Sequence, residues 1–115
     1  MSGRKNVLKP YQLLNRNIDQ SFVSDAVNVQ YLDNIGIILN VTTTSNTGLF
    51  TIEASNDGSN FSTLELDPPI AALADASTAI TVALADFPFA YIRIRFVIGT
   101  GTNGTVSASI VAKEL

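Results

Sequence analysis

The 115-residue chain has no cysteine and no histidine, sets ten acids against seven bases for a net charge of −3, and is 46% hydrophobic. Disulfides, thiolate metal sites and Ser-His or Cys-His catalysis are thereby excluded, together with the commonest metal ligand. The length suits one domain burying roughly two-thirds of its unfolded surface, and the longest apolar runs fall far short of the roughly 20 residues a membrane helix needs, so no membrane contact and no secretory signal are expected.

The first segment, residues 1–20, reads as an extended N-terminal arm. Pro10 interrupts it and it shows no sustained periodicity, yet Val7, Leu8, Tyr11, Leu13, Leu14 and Ile18 are too apolar for a purely solvated tail. Tyr11 to Ile18 has room for a turn or two of helix, a reading weakened by Asn15 and Asn17. Arg4, Lys5, Lys9 and Arg16 fall here with no acid among them, whereas from Asp19 onward ten acids meet Arg93, Arg95 and Lys113. A basic, apolar leader ahead of an acidic body points to contact with an acidic neighbour, including the next identical subunit, or to a frayed terminus.

Residues 21–115 read as a β-sandwich domain. Val27, Val29 and Tyr31 alternate with polar residues, and Asp33-Asn34 marks a turn before Ile35–Thr42, a run apolar on both faces that suits a central strand covered on each side. Gly36 within it implies a bulge or a close approach. Phe50, Ile52 and Ala54, then Leu64 and Leu66, flank Asn56-Asp-Gly-Ser-Asn60 as a hairpin. Asp67-Pro68-Pro69 ends that strand, and Ile70–Ala76 has the composition of one short helical turn. Ile80, Val82 and Leu84 form the next strand, and Asp86-Phe87-Pro88-Phe89 a corner. In the strongest strand Ile92, Ile94, Phe96 and Ile98 face one way and Tyr91, Arg93, Arg95 and Val97 the other. A glycine-rich loop, residues 99–104, leads to a last strand with Val106, Ala108, Ile110 and Ala112 inward. About seven or eight short strands without a long helix make an all-β, antiparallel β-sandwich or jelly-roll-like barrel.

Two clusters invite a chemical reading. Residues 56–60 bring oxygens together as a calcium loop would, but Asp57 is its one carboxylate and no bidentate acid follows, so a hairpin turn is the stronger reading. Arg93 and Arg95 share a face with Tyr91, a patch suited to phosphate or base stacking, or to pairing with acids on neighbouring strands and a subunit contact. The acidic balance opposes nucleic-acid binding. No carboxylate pair stands out as general acid and base, and Gly99, Gly101 and Gly104 precede a strand rather than a helix. A non-enzymatic protein without cofactor or metal is expected.

Asn6–Tyr11, Val29–Ile37, the Gly48–Gly58 stretch, Pro88–Phe96 and the ending Gly104–Lys113 together resemble a group of small virion-associated proteins of tailed bacteriophages. The resemblance spans nearly the whole chain. It implies a capsid decoration or cement protein, made in the bacterial host cytoplasm and carried on the virion, with the major capsid protein or other virion proteins as partners and a homo-oligomeric state. On that reading Arg4, Lys5, Val7, Leu8, Lys9, Tyr11, Leu13 and Leu14 of the arm, with Tyr91, Arg93 and Arg95, form the interface, and deleting residues 1–18 leaves the fold intact. Ser55–Phe61 also resembles a turn of discoidin-like carbohydrate-binding modules, with Phe61 in place of tryptophan. It implies an alternative, a carbohydrate- or receptor-binding module of a head fibre or tail, with exposed rings at Phe61, Phe87 or Phe89. The structural reading expects those rings packed inside.

Overall fold

The computed structural model describes residues 7–30, 32–42, 48–64, 78–100 and 104–114. Nine strands are found among them: β1 (Val7–Asn17), β2 (Phe22–Val23), β3 (Val27–Asn28), β4 (Asn34–Thr42), β5 (Leu49–Ser55), β6 (Ser62–Thr63), β7 (Thr78–Leu84), β8 (Tyr91–Val97) and β9 (Thr105–Lys113). Every pairing is antiparallel. The first sheet has the order β1-β9-β4-β7; in the second, β2-β8-β5-β6, β3 also pairs with β8.

β2 and β3 are one edge strand interrupted at Ser24. Its backbone N–H donates to the Ile94 carbonyl at 2.8 Å, while its hydroxyl accepts the Ile94 N–H at 2.9 Å, so the side chain satisfies a donor the interrupted ladder leaves unpaired. With these two counted as one, the pairs β1·β9, β2/β3·β8, β4·β7 and β5·β6 nest inside one another along the chain. A long hairpin rolled into two sheets has this connectivity, that of a jelly roll.

Alternation builds the core. Ile35, Ile37, Leu39 and Val41 of β4, Phe50, Ile52 and Ala54 of β5, Ile92, Ile94 and Phe96 of β8, and Val106, Ala108, Ile110 and Ala112 of β9 are buried between the sheets. Phe96 sits at the centre, its ring 4.8 Å from Phe50 and 5.4 Å from Phe22. At the corner, Asp86 takes a positive φ of 54°, tolerated by Asp, and turns Phe87 so that its N–H reaches the Asp33 carbonyl at 3.0 Å.

Two expectations need correcting. Residues 7–17 are neither a separate arm nor helical. They are an edge strand paired with β9 from Val7↔Lys113 to Asn17↔Thr105, with register shifts between Leu8 and Tyr11 and between Gln12 and Leu14. Pro10 and these irregularities erased the period that marks a strand, and pairing with β9 overrides the weak local preference. The seam between the sheets ties this strand further to its own chain: the Arg16 guanidinium lies 4.1 Å from the centre of the Phe22 ring on β2. Second, among the described residues β4 is covered on one face only, because Gly36, Ile38, Asn40 and Thr42 point away from the core and Ile38 is exposed. Of the two readings of Gly36, the close approach holds: it sits in unbroken register between Ala83 and Val111, and a Cβ there would meet Val111 Cγ1 at 3.3 Å. The predicted helical turn at 70–76 lies outside the described residues, as do Leu66, Pro68 and Pro69.

Candidate functional site

The outer face of the second sheet holds a cross-strand cluster of charged side chains. Register places Glu53 of β5 directly opposite Arg93 of β8, and Thr51 opposite Arg95. Arg93 Nε donates to Glu53 Oε1 at 2.7 Å, and Arg95 Nη1 pairs with Oε2 at 3.5 Å. The loop after β5 brings Phe61 back across the sheet, so that the Arg93 guanidinium stacks 3.9 Å from the centre of its ring. Under this cover Glu53 is just 4% exposed although it lies on the solvent side of the sheet. A carboxylate so desolvated is tolerable because each oxygen meets a cation.

Tyr91 continues the face. Its ring lies over Gly58, where an added Cβ would come within 3.2 Å of it, and Gly58 has a φ of +78° that favours glycine in any case. The 56–60 loop is a self-contained turn. Asp57 Oδ1 accepts from the Ser59 N–H at 2.9 Å, the Asn60 N–H at 2.8 Å and the Ser55 hydroxyl at 2.9 Å, and Oδ2 accepts from Asn60 Nδ2 at 2.8 Å. Backbone hydrogen bonds from Asn60 and Ser59, then side-chain bonds from Asn60 and Ser55, hold the Asp57 carboxyl far below the usual carboxylate range. Both carboxylate oxygens are thus committed to the turn itself, and no cluster of three potential metal ligands occurs among the described residues.

The sequence-predicted contact residues fall into two places. Arg4 and Lys5 lie outside the described residues. Val7, Lys9 and Tyr11 are exposed along β1, at the edge of the first sheet. Leu14 is buried in the core, and Leu8 and Leu13 pack against it, so these three leucines hold β1 to its own body rather than offering it to a neighbour. Arg93 and Tyr91 are half-buried, and Arg95 projects with about half its side chain exposed. Beside Arg95 stands a small apolar fringe: Val23, its neighbour on β2, and the directly paired Leu49 and Val97 are all exposed. Two cations share the Glu53 carboxylate, and Arg95, the more exposed of them, is flanked by apolar side chains. Such a surface suits a partner's carboxylate and its hydrophobic surroundings.

Sequence reasoning missed Glu53 and Phe61 as the partners of Arg93. Glu53 was legible as an outward residue of its strand, but its pairing with Arg93 on one side and Thr63 on the other is set by register. Of the rings considered for ligand stacking, Phe87 is buried and meets Phe89 edge-on at 5.3 Å, Phe89 is half-buried against the core, and Phe61, half-buried outside the core, is stacked against the Arg93 guanidinium. No family model matches this chain, and no curated protein matches it.

Proposed function

We propose that this protein is a non-enzymatic structural component of a tailed-phage virion, a decoration or cement protein that docks on the major capsid protein or another shell protein. The observation that carries the reading is the outer face of the second sheet, where Arg95, Val23, Leu49 and Val97 are displayed together on a rigid sheet. Small jelly rolls serve as capsid and lectin domains alike, so the fold alone does not choose between them. The resemblance to virion proteins and the commitment of Glu53 and Asp57 to internal bonds support the structural role. Many copies around one particle turn modest contacts into firm attachment.

The alternative, a sugar- or receptor-binding module, loses its best platform because the Arg93 guanidinium occupies a face of the Phe61 ring. Co-sedimentation with phage shells tests the proposal. The unaltered protein is expected to pellet with shells, while Arg95→Glu combined with Leu49→Asp stays in the supernatant with its fold unchanged. Failure of the unaltered protein to bind shells of any tailed phage of its host, together with retention on a glycan array, would overturn the proposal in favour of the alternative.

A further inference from the structure

The four strands of the first sheet contain not one aspartate or glutamate, although the chain is acidic overall. Among the described residues the acids are Glu53 in the second sheet and Asp19, Asp25, Asp33, Asp57, Asp86 and Glu114 outside the strands. The outward positions of three of its strands are small or neutral: Thr105, Ser107, Ser109 and Val111 on β9, Gly36, Ile38, Asn40 and Thr42 on β4, and Ala79, Thr81 and Ala83 on β7, with Lys113 at one end; the edge strand β1 adds Val7, Gln12, Asn15 and Asn17 opposite outward residues of β9, and the exposed Lys9. Depletion of charge is the compositional mark of an interface core.

Relief on this face follows register. One cross-strand row reads Ala83, Gly36, Val111, and the next row on the same face reads Thr81, Ile38, Ser109. Ile38 stands up at 44% exposure and Val111 at 38%, while the missing side chain of Gly36 and the short one of Ala83 leave an apolar depression continuing toward Leu84 and Ala85. On β7, β4 and β9 a larger residue in one row corresponds to a smaller one in the other.

We propose that the outer face of the first sheet is a self-association surface that stacks on the same face of a second copy. A two-fold axis lying between the sheets, perpendicular to β4 at the level of Ile37, superposes the first row on the second. Ile38 then enters the Gly36 depression of the other copy, Val111 meets Ser109, Ala83 meets Thr81, and the reciprocal contacts follow, as an isologous interface requires. Lys113 comes opposite Ser107 rather than another cation. A second copy is the favoured occupant because the contact is sterically self-complementary, and because two molecules of net charge −3 repel least through an acid-free face. Strand spacings of about 4.8 Å and rises of about 3.4 Å per residue make the face roughly 19 Å by 24 Å. Stacking two copies covers on the order of 1,000 Å² in total, the size at which specific interfaces begin. This inference does not rest on the virion reading and leaves the Arg95 face free for another partner.

Sedimentation equilibrium over a wide concentration series tests it on the full chain. A monomer-dimer equilibrium is expected, with the dissociation constant raised about tenfold or more by Ile38→Glu, and likewise by Val111→Glu, each with an unchanged circular dichroism spectrum. Register is read separately in this cysteine-free chain. Ser109→Cys mixed with Val111→Cys should form a disulfide-linked dimer readily on oxidation, and either variant alone should do so slowly. A protein that stays monomeric throughout, a dimer indifferent to both glutamate variants, or equal cross-linking in the single and mixed samples would overturn the proposal.

Discussion

Arg93 Nε and Glu53 Oε1 lie 2.7 Å apart on directly paired residues of two central strands, and Phe61 closes the pair from above. Truncating Glu53 leaves two guanidinium groups with no acid between them. Since a quarter of the Arg93 side chain is exposed, solvent screening moderates the loss below that of a fully buried pair. Glu53→Ala is expected to cost about 1–3 kcal/mol in urea unfolding. A double-mutant cycle with Arg93→Ala should return a coupling of about 1 kcal/mol or more, and additivity would show the pair to be incidental.

The Asp57 turn makes a prediction in acid. The folded state depresses this carboxyl's pKa, so its contribution to stability is complete above the ordinary carboxylate pKa of about 3.9 and is lost as pH falls toward the folded value. A carboxyl-carbon NMR titration should find Asp57 still ionised where ordinary aspartates have titrated. Asp57→Asn should lower stability at neutral pH and remove part of the acid sensitivity; a normal Asp57 midpoint would show that the turn bonds do not persist in solution.

Deletion distinguishes the strand from an arm. Leu14 and Ile18 are core residues, and Ile18 donates its N–H to the Gly104 carbonyl at 3.0 Å. Losing these two side chains forfeits roughly 3–6 kcal/mol at 1.5–3 kcal/mol each, a large share of the 5–15 kcal/mol typical of a domain. Removal of residues 1–18 should therefore unfold or aggregate the protein, reversing the expectation drawn from sequence. A truncated chain with an unchanged thermal midpoint would contradict the role given to β1.

Gly48 is held by space rather than by backbone conformation. A Cβ there would overlap the buried Phe96 ring and lie 2.8 Å from the Val97 carbonyl oxygen. Gly48→Ala is expected to destabilise by about 1–3 kcal/mol, because the ring that must yield is the central one of the core. Thermal denaturation would register this, and a neutral result would mean that Phe96 has room to move.

The parts of this fold legible from residues alone are those where one face is buried and the period of two survives. β8 and β9 were read with the right faces inward, and the β5–β6 hairpin was recognised by its turn residues. β1 escaped because Pro10 and two register shifts break its alternation. β4 misled because Ile38 belongs to the solvent face, and an apolar residue there looks the same in sequence as one covered by a second layer. The candidate site was half visible: Arg93 and Arg95 announced themselves by alternation, but their carboxylate lies forty residues away from Arg93 in the chain and is identified by register alone.

Imaging of purified virions by cryo-electron microscopy, at a resolution that separates strands, tests the central claim most directly. The account predicts copies of this jelly roll on the shell, with Arg95, Val23, Leu49 and Val97 against a capsid subunit and the acid-free sheet turned away from it. Particles carrying no copies, or copies attached by another surface with the second sheet facing solvent, would contradict it.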